Sequence, residues 1–353
     1  MKRIRDFGLQ PGILPAGMYN AITDVPGVKV GQVTLNQGDD VRTGVTAILP
    51  HDGNLFADKV PAAVYTINGF GKACGFEQVR EMGHIETPVL LTNTLNVPRV
   101  ADALMTYMLR RNPRIGRDST GTVNPLVGEC NDGFINDIRA RYVTEAHVLQ
   151  ALEDATGGKV AEGNVGAGTG TVCYGFKGGM GTASRQIVTD DETYHLGVLL
   201  QTNFGRREEL VISGIPVGQH YKDKHLPRPG IPDGSIMVVI ATDAPFTSRQ
   251  LQRLCKRVSF GLGRTGTVGH HGSGDFVIAF STANRYAHAS QLTYDSILRL
   301  VETCLIDTFF TAVVESVQEA VYNALVAAET MTGRDGNTLY ALPHDALVSA
   351  SAH

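Results

Sequence analysis

The chain has 353 residues, 42% of them hydrophobic and 19% charged, enough to build a sizeable core and too apolar for disorder. A formal net charge of -4 excludes the basic excess of a nucleic-acid binder. No apolar run reaches the ~20 residues of a membrane span, and the N-terminus MKRIRDFGLQPG lacks the apolar stretch of a secretory signal. Cys74, Cys130, Cys173, Cys255 and Cys304 are widely spaced and form no CxxC pair. They read as reduced, mostly buried thiols of a cytoplasmic protein, not as a disulfide frame or zinc site.

In chain order, short strand-like runs alternate with turns: VKVGQVTL (28–35), GVTAILP (44–50), AAVYTING (62–69) and PVLLTNT (88–94). Residues 96–112 and 142–153 carry the apolar spacing of helices. EGNVGAGTGTVCYGFKGGMGTAS (162–184) is crowded with glycine and predicts turns and close backbone approaches. HLGVLLQTN (195–203) reads as a buried strand ending at Asn203, and a turn over 228–234 leads into a second buried strand, SIMVVIATD (235–243). Residues 248–266 put Leu251, Leu254, Cys255, Val258 and Leu262 on one helical face, with Ser248 as the expected N-cap. FVIAFST (276–282) is a further strand, and 296–331 reads as a long helix broken once near Asp307. Strands followed by long helices predict a layered α/β protein.

Several tempting motifs lack the parts their chemistry needs. GNVGAGTG (163–170) is followed neither by the third glycine nor by the helix that a dinucleotide loop requires, so cofactor binding is not expected. Adjacent side chains on an extended segment point apart, so His270 and His271 cannot easily share a metal ion. There is no G-x-S-x-G elbow. Ser235 is more unusual: it follows Asp-Gly and opens a dense apolar run. Cleavage between Gly234 and Ser235 would leave a serine carrying both a hydroxyl and a free α-amine. Such an amine titrates near pH ~7.7–8.0 and can serve as base for its own hydroxyl. The bland alternative is a β-turn entering a core strand. Asn203 ends its strand with an amide suited to an oxyanion. Ser273 and Asp275 lie two apart, on one face if extended.

Taken together, RTGVTAILP (42–50), GEC-NDGFIND (128–137), the glycine-rich segment, LLQTNFG (199–205), DGSIMVVIATDAP (233–245) and GHHGSGDFVIAFST (269–282) resemble the DmpA-type aminopeptidases. That family comprises the L-aminopeptidase/D-esterase-amidases and the β-peptidyl aminopeptidases, and the resemblance spans nearly the whole chain. It implies one domain over 1–353 with a four-layer α/β/β/α sandwich, and self-cleavage after Gly234 into 1–234 and 235–353. It further implies a homotetramer of such pairs, with no metal or organic cofactor. Carried over by position, Ser235 is the nucleophile, Asn203 the oxyanion donor, and Ser273 with Asp275 the groups that orient Ser235 and relay protons. Some relatives have Glu in place of Asp275. Glu129 matches the acid that holds the substrate's free α-amine, and Asn131 stands where some relatives carry an oxyanion-assisting Tyr. The implied activity is release of the N-terminal residue from short peptides, amides or esters, with no membrane or nucleic-acid partner. Two other readings are acyl transfer by the same nucleophile and a non-enzymatic, glycine-loop ligand-binding module.

Overall fold

A computed structural model describes residues 2–117, 121–228, 234–288, 290, 292–293 and 296–347. Its strands are β1 (Lys29–Gln37), β2 (Val41–Leu49), β3 (Asp58–Gly69), β4 (His84–Ile85), β5 (Val89–Asn93), β6 (Leu126–Cys130), β7 (Val172–Cys173), β8 (Phe176–Lys177), β9 (Met180–Val188), β10 (Thr193–Asn203), β11 (Ser235–Thr242), β12 (Gly274–Ser281), β13 (Tyr286–Ala287), β14 (Met331–Thr332) and β15 (Thr338–Leu339). The helices are α1 (Phe76–Met82), α2 (Val97–Arg111), α3 (Glu145–Glu153), α4 (Val217–His220), α5 (Ser248–Cys255), α6 (Val258–Gly263) and α7 (Glu302–Ala327).

Four strands form one sheet in the order β1-β2-β5-β6, and a second sheet runs β13-β3-β12-β11-β10-β9 with β4 paired to β3. The alternation of side chains along each strand sorts the core into layers. In β11 every residue is buried, so its apolar run is continuous, as expected for a strand covered on both faces. Ile236, Val238 and Ile240 pack with Leu251, Leu254, Val258 and the α7 residues Phe309, Val313 and Val317. The alternate residues Met237, Val239 and Ala241 pack with Ile48, Val89, Leu91 and Leu126 of the other sheet. Val45, Ala47, Leu90 and Val127 point outward from that sheet onto Val100 and Leu104 of α2 and Val148 of α3. Helix, sheet, sheet and helix follow in sequence, which is the α/β/β/α sandwich.

Several local expectations are corrected. The segment 248–266 is two helices, α5 and α6, and the N-cap is Thr247, whose hydroxyl accepts from the Gln250 N–H. Helix α7 runs unbroken through Asp307, which is tolerated because that side chain is exposed, and 296–301 precede it without helix. Strand β12 begins at Gly274 and not at 276, so Asp275 lies inside it. Strands β6 and β9 had no separate forecast; β9 emerges from the end of the glycine-rich stretch. Most of the turn expected over 228–234 lies outside the described residues. Among those described, no helix is long and apolar enough to cross a membrane.

The glycine-rich segment passes close to neighbouring backbone at several positions where only glycine fits. A Cβ at Gly168 would strike the backbone of Gly179 and Met180, one at Gly179 the carbonyl of Gly163, and one at Gly181 the carbonyl of Ala320 in α7. Beside it, the fully buried Arg185 of β9 bridges Glu315 and Glu319 of α7, each at 2.8 Å. Removing one partner from a buried ion pair costs about 3–5 kcal/mol, because the remaining charge stays desolvated. Arg185→Met should therefore lower unfolding stability by about that amount, read as a leftward shift of the denaturant midpoint; an unchanged midpoint would show that the carboxylates find other partners.

Candidate active site

Ser235 is the first residue of β11, and both neighbouring strands grip it. Asn203, the last residue of β10, is its antiparallel partner, and Gly274, the first residue of β12, its parallel partner. The paired side chains of Ser235 and Asn203 share the face that looks toward the other sheet. There Asn203 Nδ2 stands 3.5 Å from Ser235 Oγ, a long contact of the kind that tightens only when charge develops. The orientation of the amide is set from behind: Asn203 Oδ1 accepts from the Val172 N–H at 3.2 Å. Val172 belongs to the glycine-rich segment. That segment is cinched by Lys177, whose Nζ donates to the carbonyls of Gly168, Thr171 and Gly178 at 3.2, 3.0 and 2.7 Å. Burial brings the Lys177 pKa down to about 7.

A cleft of about 430 Å³ opens over Ser235 in the gap between the sheets. Its walls are Gly69–Lys72, Gly234 and Gly272 on one side and Thr94, Glu129 and Asn131 on the other. Glu129, on β6, is only 2% exposed. One carboxylate oxygen accepts from the Lys72 N–H at 2.9 Å and the other from the Thr94 hydroxyl. Burial nevertheless pushes its pKa above the ordinary carboxylate value, the two hydrogen bonds and the Lys72 charge opposing the shift. A desolvated carboxyl at the cleft wall is suited to an ammonium, whose charge would restore the ionised form. Asn131 Oδ1 accepts from the Gly133 N–H at 2.8 Å, which leaves the amide nitrogen as the donor available to the cleft.

Ser273 and Asp275 lie together, with Ser273 Oγ donating to Asp275 Oδ1 at 2.5 Å. The pair is not in the cleft. Register puts Asp275 beside Ile236, on the helix side of the sheet, so both residues line a separate chamber of about 100 Å³ with Ile236, Phe204 and His270. Gly234 borders both spaces, which makes it part of the partition between them. Burial raises the pKa of Asp275, opposed by the Ser273 hydrogen bond and the nearby His270. His270 Nε2 is 3.0 Å from Glu209, and among the described residues no cluster of three or more His, Cys, Asp or Glu side chains could hold a metal ion.

Four contributors had no forecast. Asn68 Nδ2 donates to the carbonyls of His270, His271 and Ser273, clasping the loop that carries Ser273. Thr94 and the Lys72 N–H hold Glu129. Cys130, whose Sγ donates to the Gln201 carbonyl at 3.3 Å, has its thiol within hydrogen-bonding reach of Ser235. Burial drives its pKa well up, so it is a neutral packing group. The only sequence signal for these residues was adjacency to runs already singled out, at ING, LTNT and GEC.

A cleft between the sheets of an α/β/β/α sandwich defines the class, a hydrolase of the Ntn fold. The family model for peptidase family S58 matches residues 20–339, and the chain belongs to that family of aminopeptidases. It is 42% identical to the beta-peptidyl aminopeptidase BapA of Sphingosinicella microcystinivorans, covering 97% of this chain and 90% of that one. A Burkholderia sp. beta-aminopeptidase superposes with a TM-score of 0.92 at 40% identity, covering 99% and 98% of the two chains. The L-aminopeptidase D-Ala-esterase/amidase of Ochrobactrum anthropi, described as a variant of the Ntn hydrolase fold, gives 0.91 at 40% identity with 98% and 97% covered.

Asn203→Asp keeps an acceptor for the Val172 N–H and removes the donor facing Ser235. Losing one such donor should lower kcat for amide hydrolysis by roughly 10²–10³. Wild-type kcat in this variant would show that Asn203 only closes the loop.

Proposed function

We infer that this protein is a self-processing aminopeptidase that releases the N-terminal residue of short peptides, amides or esters. The observation that carries this reading is the situation of Ser235: opening a buried strand, beneath a cleft whose opposite wall offers a desolvated carboxylate. Cleavage between Gly234 and Ser235 would yield chains 1–234 and 235–353. The freed α-amine would then take the proton of Ser235 Oγ as it attacks the scissile carbonyl, and water would resolve the acyl-enzyme. Asn203 donates to the oxyanion, and the amide nitrogen of Asn131 is the second candidate donor from the facing wall.

Ser273 and Asp275 act on the other face. Since their chamber lies behind Ser235, with Gly234 as a shared wall, the group they serve is the main-chain nitrogen of Ser235, not its hydroxyl. The α-amine needs an orienting acceptor if it is to shuttle protons, and the Ser273–Asp275 pair supplies one. Glu129 pairs with the substrate's ammonium, which restricts cleavage to the first residue of a chain. The same reading takes the working form to be a homotetramer of cleaved pairs, supported by the family resemblance alone, and cytoplasmic, supported by the widely spaced cysteines without a CxxC pair.

Ser235→Ala should remain one species by denaturing mass spectrometry and hydrolyse nothing, whereas the parent should give two chains; activity in the variant would rule out this nucleophile. Glu129→Gln should raise KM by about 30-fold or more, the effect of removing one partner of a buried charge pair (about 2–5 kcal/mol). For the parent the sign follows from the raised pKa: KM should rise as pH falls through a value above the ordinary carboxylate range, when the carboxyl takes up a proton and no longer pairs with the ammonium. That dependence should vanish in Glu129→Gln, and a KM that stays pH-dependent there would assign the titration to another group.

A further inference from the structure

Self-cleavage, if it proceeds as proposed above, has its own oxyanion to stabilise. The attacked carbonyl is that of Gly234, and its oxygen is held away from the amide of Asn203. It already accepts a hydrogen bond from the Gly274 N–H at 3.1 Å. We propose that this backbone N–H is the oxyanion donor of the self-cleavage step, distinct from the Asn203 side chain that serves peptide hydrolysis.

The geometry suits that task in three respects. The bond is the first rung of the parallel ladder between β11 and β12 and so lies in the sheet. Ser235 Oγ stands on the cleft face, so it reaches the Gly234 carbon across the peptide plane while the oxygen stays directed at Gly274 as the carbon becomes tetrahedral. The donor is also rigidly held, since Gly274 pairs with Ser235 on one side and Gly69 on the other. Finally, both glycines are required by close approach. A Cβ at Gly274 would lie 2.8 Å from the Phe70 carbonyl oxygen and 3.0 Å from Gly71 Cα, and one at Gly234 would lie 2.9 Å from the Asn203 carbonyl oxygen and 3.0 Å from Phe204 Cα. These neighbours are backbone atoms that cannot swing aside, so the donor and the acceptor are seated by the contacts that exclude side chains. A donor 2.7–3.1 Å from the developing charge is the arrangement that acts without reorganisation.

The step balances without any other reagent than water. Ser235 Oγ bonds to the Gly234 carbon, and the carbonyl electron pair moves onto the oxygen facing Gly274. Collapse breaks the bond from the Gly234 carbon to the Ser235 nitrogen, and the hydroxyl proton ends on that nitrogen. Hydrolysis of the resulting ester returns the Ser235 hydroxyl and leaves Gly234 as a carboxylate.

The test removes one hydrogen atom. Cell-free translation with glycolic acid at position 274 replaces the N–H by an ester oxygen, and phenyllactic acid at 276 makes the same change two residues along the strand. Processing is followed by denaturing mass spectrometry. The expected result is a half-time roughly 10²–10³-fold longer for the 274 ester and a much smaller change for the 276 ester. Wild-type processing of the 274 ester, or equal slowing of both, would overturn the assignment. Should the 274 ester fail to fold, amide hydrogen exchange in uncleaved Ser235→Ala decides: the Gly274 amide should be strongly protected, and exchange at the rate of an open loop would refute the bond. A wild-type chain that never cleaves in the same assay would instead remove the self-processing reading on which this inference rests.

Discussion

The arrangement of the site depends on the two-sided capture of one residue. Ser235 begins a strand that is hydrogen-bonded on both edges, by the end of β10 and by the start of β12. A residue at a strand terminus ordinarily frays, because its backbone groups have the fewest partners. Here the terminus is internal to the sheet, so a chain end created at Ser235 would inherit the rigidity of the core. A nucleophile needs that rigidity, since small displacements from a productive geometry are costly in rate.

The rest of the molecule supports that position. The glycine-rich segment fills the space behind Asn203 so closely that only backbone fits, and one of its N–H groups orients the amide. Lys177 donates to three carbonyls along this tight path and ties its turns together. Asn68 likewise donates to three carbonyls of the loop that carries Ser273. The sandwich contributes a geometric asymmetry. One face of the second sheet looks at the first sheet and opens into the cleft, while the other looks at helices and closes into a small chamber. Residues one position apart on a strand are thereby assigned to different chemical compartments.

Much of this was legible in the residues themselves. The Asp-Gly-Ser junction ahead of a wholly apolar run marks Ser235, because packing alone gives no reason to put a hydroxyl where a tight turn meets a buried strand. Strand periods located β1, β2, β3, β5, β10 and β11, and helical spacing located α2 and α3. The boundaries that shifted did so for local reasons. Thr247 competes with Ser248 as a cap and wins through a reciprocal exchange with Gln250. An acidic residue does not break α7 when it faces solvent. The glycine-rich segment concealed β9, since strand period is weak where side chains are missing.

The amino-acid sequence by itself marked most of the longer strands, the layered α/β class and the candidate site residues. Alternation and turn chemistry are local properties that a chain carries before it folds. Only the tertiary structure decided which of those residues meet. Ser235 and Ser273 both approach Gly234, yet strand pairing sends one hydroxyl into the cleft and the other into the chamber behind it. Glu129 comes to face Ser235 only because two sheets pack across a gap. Register and sheet packing join residues separated by long stretches of chain, and the contacts they create have no local signature to be read in advance.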